Sequence, residues 1–153
     1  MMYRFRAAFT PLLVALAFGS TASASQAIDR NFMASFLSGE YIVIGKKPDS
    51  DATYQGRVTL RQRGLELEVT RVINGNTDHG TASFDSVTAD KIPVLRMRFT
   101  QDGKSYEGTF LWRSDLDNYG RLSGYVYSPT KGETKSLGLE ALFPLAPLGS
   151  TKP

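Results

Sequence analysis

The sequence contains no cysteine and only one histidine among its 153 residues. Without cysteine, the chain has no disulfide framework, no thiol nucleophile and no cysteine-ligated metal. His79 stands in the predicted loop Thr77–Gly80, and no G-x-S-x-G motif accompanies it, so nothing places it in a hydrolase triad. We therefore predict no catalytic residue, no metal site and no cofactor. An enzymatic function stays open only because carboxylates alone can perform acid–base catalysis.

The sequence also lacks a clear excess of charge of one sign. Its formal net charge is +3, from 18 basic and 15 acidic residues. Two basic residues, Arg4 and Arg6, lie in a segment that we predict to be removed, which leaves 16 basic against 15 acidic residues, or +1. Nucleic-acid-binding domains usually keep a marked basic excess. We therefore predict no nucleic-acid partner.

Long apolar runs are missing too, apart from Ala7–Phe18 near the N-terminus. Its 12 residues are fewer than the ~20 that a transmembrane helix needs. Arg4 and Arg6 precede the run and an A-x-A cleavage sequence, Ala22–Ala24, follows it, which is the order of a secretory signal. We expect residues 1–24 to be removed and the mature protein to be periplasmic or secreted, with no integral membrane segment.

The segment Gln26–Ser38 is predicted to form one short amphipathic helix. Asp29 near its start and Gly39 just past its end are placed as helix caps would be. The apolar residues that recur there at every fourth position are Ile28, Phe32 and Phe36.

After Gly39 the hydrophobic period changes from about four to two, which predicts β-strands. Eight candidate strands follow one another with short connections. They are Glu40–Gly45, Thr53–Gln62, Leu65–Ile73, Gly80–Val87, Val94–Thr100, Ser105–Arg113, Arg121–Ser128 and Thr134–Phe143.

The connections between these strands are too short for parallel crossovers, which need about 12 residues or more. Asn74-Gly75 and Asp102-Gly103 are dipeptides typical of tight hairpins, because both residues tolerate positive φ. Eight consecutive antiparallel strands remove their free edges by closing into a barrel. The sequence therefore predicts an all-β fold, a single eight-stranded antiparallel up-and-down barrel with a short N-terminal helix.

Alternation along the strands predicts which side chains face the barrel interior. The inward set is Tyr54, Val58, Leu60, Leu65, Leu67, Val69, Ala82, Phe84, Leu95, Met97, Phe99, Tyr106, Phe110, Trp112, Leu122 and Val126. The outward set is Arg57, Arg61, Glu66, Glu68, Arg96, Arg98 and Glu107. Glycines inside the strands, which we interpret as sites of barrel curvature, are Gly56, Gly80, Gly108, Gly124 and Gly138.

The layout resembles that of the calycin group, which comprises the lipocalins, avidins and fatty-acid-binding proteins, and that of small exported bacterial barrels of unknown function. The resemblance covers about residues 39–144 and is carried by the opening Gly39–Gly45, by Tyr54–Leu60, by Tyr119–Gly124 and by the closing Gly138–Leu142. It implies a fold and no particular ligand, because the first strand carries Gly39-Glu40-Tyr41 where lipocalins have G-x-W.

Our first functional hypothesis is a small apolar or amphipathic ligand inside the barrel. Eight strands enclose a space that side chains can fill or that one small ligand can occupy. By alternation, Arg71 and Glu140 also fall on the inward face. The interpretation that we favour places Arg71 at the barrel rim and lets Glu140 form hydrogen bonds with the backbone near the first strand. In the alternative interpretation both residues are polar anchors inside the pocket. The candidate ligand-binding residues are Tyr54, Arg71, Tyr106, Phe110, Trp112 and Glu140.

The alternative hypothesis is a filled barrel that acts as a rigid scaffold for an envelope or secreted protein, as an inhibitor or envelope factor. The loops Lys46–Asp51, Asn74–His79 and Ser114–Tyr119 would then make the contact.

The sequence predicts four segments along the chain. Residues 1–24 are the signal, 25–39 the helix, 40–144 the barrel and 145–153 a flexible tail.

Overall fold

A closed antiparallel barrel of eight strands forms the protein, with one helix before the first strand. The computed structural model describes residues 22–112 and 121–146. The elements are α1 Ala22–Leu37, β1 Gly39–Lys46, β2 Thr53–Arg63, β3 Glu66–Ile73, β4 Asn76–Val87, β5 Ile92–Gln101, β6 Lys104–Leu111, β7 Leu122–Tyr127 and β8 Gly138–Pro144. The predicted fold class is confirmed.

Each strand pairs with its neighbours in the chain, and β1 also pairs with β8 to close the barrel. Val43 illustrates the closure, since it lies opposite Gly56 on β2 and opposite Leu142 on β8. Closure gives every strand two hydrogen-bonded neighbours, so no sheet edge is left to pair with another chain.

The connections divide between the two ends of the barrel. The links β1–β2, β3–β4, β5–β6 and β7–β8 lie at one end, which we call the open end. Helix α1 packs at the other, the helix end, where Gln62 Nε2 donates to Asn31 Oδ1 at 2.7 Å. Tyr41 Oη donates to the Leu37 carbonyl at 2.8 Å and ties the end of the helix to β1. Among the described residues, no helix is long and apolar enough to cross a membrane.

The predicted facing of the strands is largely confirmed. The fully buried inward residues include Val58, Val69, Met97 and Phe110, and Phe84, Tyr106 and Trp112 are half-buried. On the outer surface, charged side chains pair across strands. The pairs include Arg96 with Asp85 and Glu107, and Arg98 with Glu107.

Two local predictions are wrong. Leu65 is not an inward strand residue: Gly64 takes a φ of 64°, Leu65 completes the turn, and its side chain is 44% exposed. His79 does not lie in a loop, because Asn74 and Gly75 form the whole hairpin turn with positive φ and β4 already begins at Asn76.

Some element ends also differ from the prediction. Helix α1 begins at Ala22, before Gln26, so Asp29 is inside the helix, and Gly39 already belongs to β1. Strand β8 begins at Gly138 and not at Thr134, because the preceding residues form the long β7–β8 loop. Strand β6 ends at Leu111, and the predicted end at Arg113 lies outside the described residues.

Candidate functional site

Three of the predicted site residues meet inside the barrel. Arg71 on β3 donates from both terminal guanidinium nitrogens to Glu140 on β8, with a distance of 3.1 Å between Nη1 and Oε2. The Tyr54 hydroxyl on β2 donates to Oε1 of the same carboxylate. All three residues are buried, and the charged side chains of Arg71 and Glu140 have no solvent exposure. The interpretation that placed Arg71 at the rim and Glu140 against backbone is therefore wrong. The bidentate contact explains why both charges can be buried, because each charge has a partner.

Gly45 on β1 makes this meeting possible. It lies directly opposite Tyr54 on one side and Glu140 on the other, with no side chain between them. The Tyr54 ring therefore crosses over β1 to reach the carboxylate on β8. A Cβ atom at position 45 would lie 2.5 Å from Cζ of Tyr54, which is closer than van der Waals contact allows.

The surroundings of the Arg71 guanidinium complete the cluster. The guanidinium carbon lies 3.9 Å from the centre of the Phe99 ring, a cation–π contact, and Nη1 lies 3.9 Å from the Met97 sulfur. Burial opposes the charged form of Arg71, but the Glu140 carboxylate outweighs it and raises the pKa of Arg71. Burial, and next the Glu140 charge, raise the pKa of Tyr54 far above its usual range. Tyr54 is therefore a permanent hydrogen-bond donor.

These side chains fill the interior toward the open end. The cavity beside them has a volume of about 20 Å3, room for about one water molecule. Small-molecule pockets have volumes of ~300 Å3 or more. The residues that line the cavity are Lys47, Pro48, Tyr54, Phe99, Gln101, Asp102, Tyr106 and Val126.

The other predicted site residues do not join this cluster. Phe110 is fully buried, with its ring over Gly108. Tyr106 is half-buried at the open end, with its ring centre 5.8 Å from that of Phe99. Trp112 lies past the end of β6 at the helix end, where its ring meets Phe84 edge-on at 5.8 Å. The predicted set is therefore spread over the length of the barrel.

Hydrogen bonds and an ion pair join three of the loops at the open end. Lys47 Nζ lies 3.2 Å from Asp102 Oδ2, which links the β1–β2 and β5–β6 connections. Asp49 Oδ1 accepts hydrogen bonds from the backbone N–H groups of Lys135 at 2.8 Å and Ser136 at 2.6 Å. The Asp49 N–H in turn donates to the Ser136 carbonyl at 2.9 Å. The β1–β2 turn is thereby attached to the β7–β8 loop.

A surface groove of about 490 Å3 lies between these joined loops. Hydroxyl and charged side chains dominate its lining, and Tyr106 is its one aromatic side chain. The lining residues are Pro48, Asp49, Gly103, Lys104, Ser105, Tyr106, Ser128, Pro129, Thr130, Glu133 and Thr134. Such a lining offers hydrogen bonds to a polar partner.

Sequence reasoning found this groove only in part. Of the three predicted contact loops, Lys46–Asp51 borders the groove, Asn74–His79 is mostly strand, and Ser114–Tyr119 lies outside the described residues. The β7–β8 loop supplies five lining residues and was not among the predicted contact loops, and two of the five, Ser128 and Thr134, had been assigned to strands. Gly132, whose φ is 82°, was the sequence signal for a loop there.

Comparisons with known proteins add no assignment. A scan against protein-family models finds none that matches the chain, and a search of curated proteins finds no similar sequence. Within residues 22–112 and 121–146, no group of three or more acidic or histidine side chains is placed to hold a metal ion. The function must therefore be argued from the geometry.

Proposed function

We propose that this protein is a non-enzymatic, calycin-like barrel that binds another protein with the loops at its open end. The observation that carries the proposal is the contrast between the two spaces at that end. The cavity beside the Tyr54–Arg71–Glu140 cluster has a volume of about 20 Å3, whereas the groove between the joined loops is about 490 Å3. Binding is therefore expected at the loops and not within the barrel.

The hypothesis of a small apolar ligand inside the barrel has less support. A ligand there would have to displace Tyr54 or separate Arg71 from Glu140, and an unpaired buried charge costs several kcal/mol. The cluster also presents charge where an apolar ligand needs an apolar wall. A filled barrel instead provides a rigid base for the loops.

The groove favours a polar segment of a partner chain. Its hydroxyl groups, on Ser105, Thr130 and Thr134 among others, can donate to and accept from a peptide backbone. The bonds of Asp49 to Lys135 and Ser136 hold the loops in place before the partner arrives. Pre-organised loops lose less conformational entropy on binding.

The proposed compartment is the periplasm or the extracellular space, on the strength of the signal features at residues 1–24. Cleavage after Ala24 would remove three residues of α1 and leave its buried positions Ala34 and Leu37 in place. N-terminal sequencing of the protein from its native cells should therefore begin near Ser25. A cytoplasmic protein that retains Met1 would reject the proposal of export.

Photochemical crosslinking tests the binding proposal. Benzoylphenylalanine in place of Thr130, in the groove, should give adducts with another protein in the native cells. The same group in place of Thr81, an exposed threonine on the outside of β4, should give none. Ser105→Trp, which fills the groove, should reduce the Thr130 adducts. Equal yields at the two positions would contradict binding in the groove.

Trp112 fluorescence tests the interior hypothesis on the same protein, because Trp112 is the only tryptophan. A saturable change in its emission with 1-anilinonaphthalene-8-sulfonate or a lipid extract, abolished by Phe110→Ala, would favour the interior ligand and reject the loop proposal. Unchanged emission together with Thr130 adducts is the result expected here.

A further inference from the structure

The outer surface of the barrel has one apolar side. Outward-facing residues of β7, β8 and β1 are large and hydrophobic, and each has between 39% and 53% of its surface exposed. We call this surface the apolar wall. Its members are Ile42, Ile44, Tyr125, Leu139 and Phe143, together with Leu145 directly after β8.

The strand register makes the apolar wall continuous. Ile42 lies directly opposite Phe143, and Leu139 lies directly opposite Tyr125. Ile44 lies opposite Ala141, the small residue between Leu139 and Phe143 on β8. Directly opposite residues on one face of a sheet have Cβ atoms about 5 Å apart. The side chains therefore form one patch with a shallow depression at Ala141.

Another part of the barrel surface is charged, which shows that the apolar wall is not a general property of the surface. On β4, β5 and β6 the outward residues include Asp85, Arg96, Arg98 and Glu107, which form ion pairs with one another. Monomeric proteins rarely expose contiguous apolar patches beyond a few hundred Å2. A contiguous apolar patch of this kind is typical of an interaction surface.

We propose that the apolar wall is the interface of a two-fold symmetric homodimer of this protein. Aromatic side chains carry ~150–250 Å2 each, and the four aliphatic side chains carry less, so the six half-exposed residues present on the order of 400–500 Å2 of apolar surface. A standard interface buries about 800 Å2 per partner, of which about 60% is apolar, or about 500 Å2. The apolar wall thus matches what one protomer contributes to a stable dimer.

The charges around the apolar wall also suit a second copy of the same chain. In a two-fold symmetric interface, the rim of one protomer lies opposite the same rim of its partner. A rim with a net charge would therefore repel the identical rim of the partner. Here Glu40 pairs with Arg57 at 3.9 Å, and Lys46 pairs with Asp51 at 2.8 Å. The charges of these two pairs cancel within the protomer, and the Arg121 guanidinium lies over Phe143 of the wall, with its carbon 5.9 Å from the ring centre.

The proposed dimer is compatible with partner binding at the open end, but it does not depend on that function. Packing along the apolar wall joins two barrels side by side, while the groove lies among the loops at the open end of each barrel. A dimer would therefore present two grooves, and binding of a partner with two matching segments would gain from effective concentration.

Molar mass in solution tests the dimer. The molar mass of the protein, as recovered from the cells that produce it, is measured by light scattering and sedimentation. Protomer concentrations run from about 1 to 100 µM, because interfaces of this size have dissociation constants of µM and below. The wild type should have the mass of a dimer. Ile44→Lys and Leu139→Lys should each raise the dissociation constant about thirtyfold or more, or about 2 kcal/mol at 1.4 kcal/mol per tenfold.

Val72→Lys is the matched control. Val72 is 39% exposed on the outside of β3, away from the apolar wall, so its replacement should leave the dimer intact. Thermal unfolding should show that all three variants fold. A monomeric wild type, or a dimer unaffected by both wall variants, would reject the proposal. A monomer that floats with phosphatidylcholine vesicles, and loses this with Ile44→Lys, would also reject it and assign the wall to a lipid surface.

Discussion

Arg71 and Glu140 are 69 positions apart in the sequence, and their side chains meet inside the barrel without contact with solvent. The pair joins β3 to β8 across the two strands that lie between them, β1 and β2. Burying two charges is favourable only where each has a well-placed partner, and the bidentate contact and the Tyr54 hydroxyl supply these partners. The pair therefore selects one arrangement of the barrel interior.

We expect the loss of one member of this pair to be much worse than the loss of both. Arg71→Met leaves the Glu140 carboxylate buried and unpaired and should cost about 3–5 kcal/mol in free energy of unfolding. The double variant Arg71→Met/Glu140→Leu removes both charges and should recover most of that loss. Urea unfolding measures the difference. A double variant as unstable as Arg71→Met would show that the lost packing, and not the unpaired charge, caused the effect.

Gly45→Ala should destabilise the protein by about 1–3 kcal/mol, because the new methyl group overlaps the Tyr54 ring. The same substitution in a Tyr54→Leu background should cost less, since the shorter side chain leaves position 45 free. Thr81→Ala, at an exposed position on the outside of β4 and away from the apolar wall, serves as the control. If the cost of Gly45→Ala is the same in both backgrounds, the ring does not cross over β1.

Val69 and Glu68 test the strand register. Val69 is fully buried, so Val69→Asp should cost several kcal/mol. Glu68 faces outward and pairs with Arg63 at 3.1 Å, and Glu68→Lys should cost about 1 kcal/mol or less because exposed ion pairs contribute little. Thermal melts compare the two. The reverse order would mean that β3 is shifted by one residue.

Glu107 should make the protein sensitive to acid. Partial burial alone would raise the pKa of Glu107, but hydrogen bonds from Tyr127 and Arg96 lower it below the ordinary 4.5. A carboxyl whose pKa is lowered on folding stabilises the protein above its unfolded-state pKa, and that stabilisation is lost as the pH falls through the folded-state value. Stability should therefore fall below about pH 4.5.

Glu107→Gln should remove that part of the pH dependence in thermal melts, whereas Glu66→Gln, at an exposed position on β3, should leave it intact. Equal slopes below pH 4.5 in the wild type and Glu107→Gln would show that other carboxyl groups dominate acid unfolding.

The sequence by itself determined the number of strands, most of their bounds and the side of the sheet that most residues occupy, with Leu65 as an exception. These features depend on local chemistry. Asn74-Gly75 and Asp102-Gly103 set two hairpins through their positive φ, and alternation places Val69 inward and Glu68 outward. Where the local signal was ambiguous, at the β7–β8 loop, the prediction of the last strand began four residues too early.

Only the tertiary structure decided what these residues meet. Parity put Arg71 and Glu140 on the inner face, but the favoured interpretation placed Arg71 at the rim and Glu140 against backbone, because burying a lone charge is costly. No sequence pattern shows that residues 69 positions apart are partners. The apolar wall was hidden for the same reason, because Ile42 and Phe143 become neighbours only when β1 pairs with β8. Local chemistry decides the strands, whereas contacts between residues distant in the sequence depend on how the barrel closes.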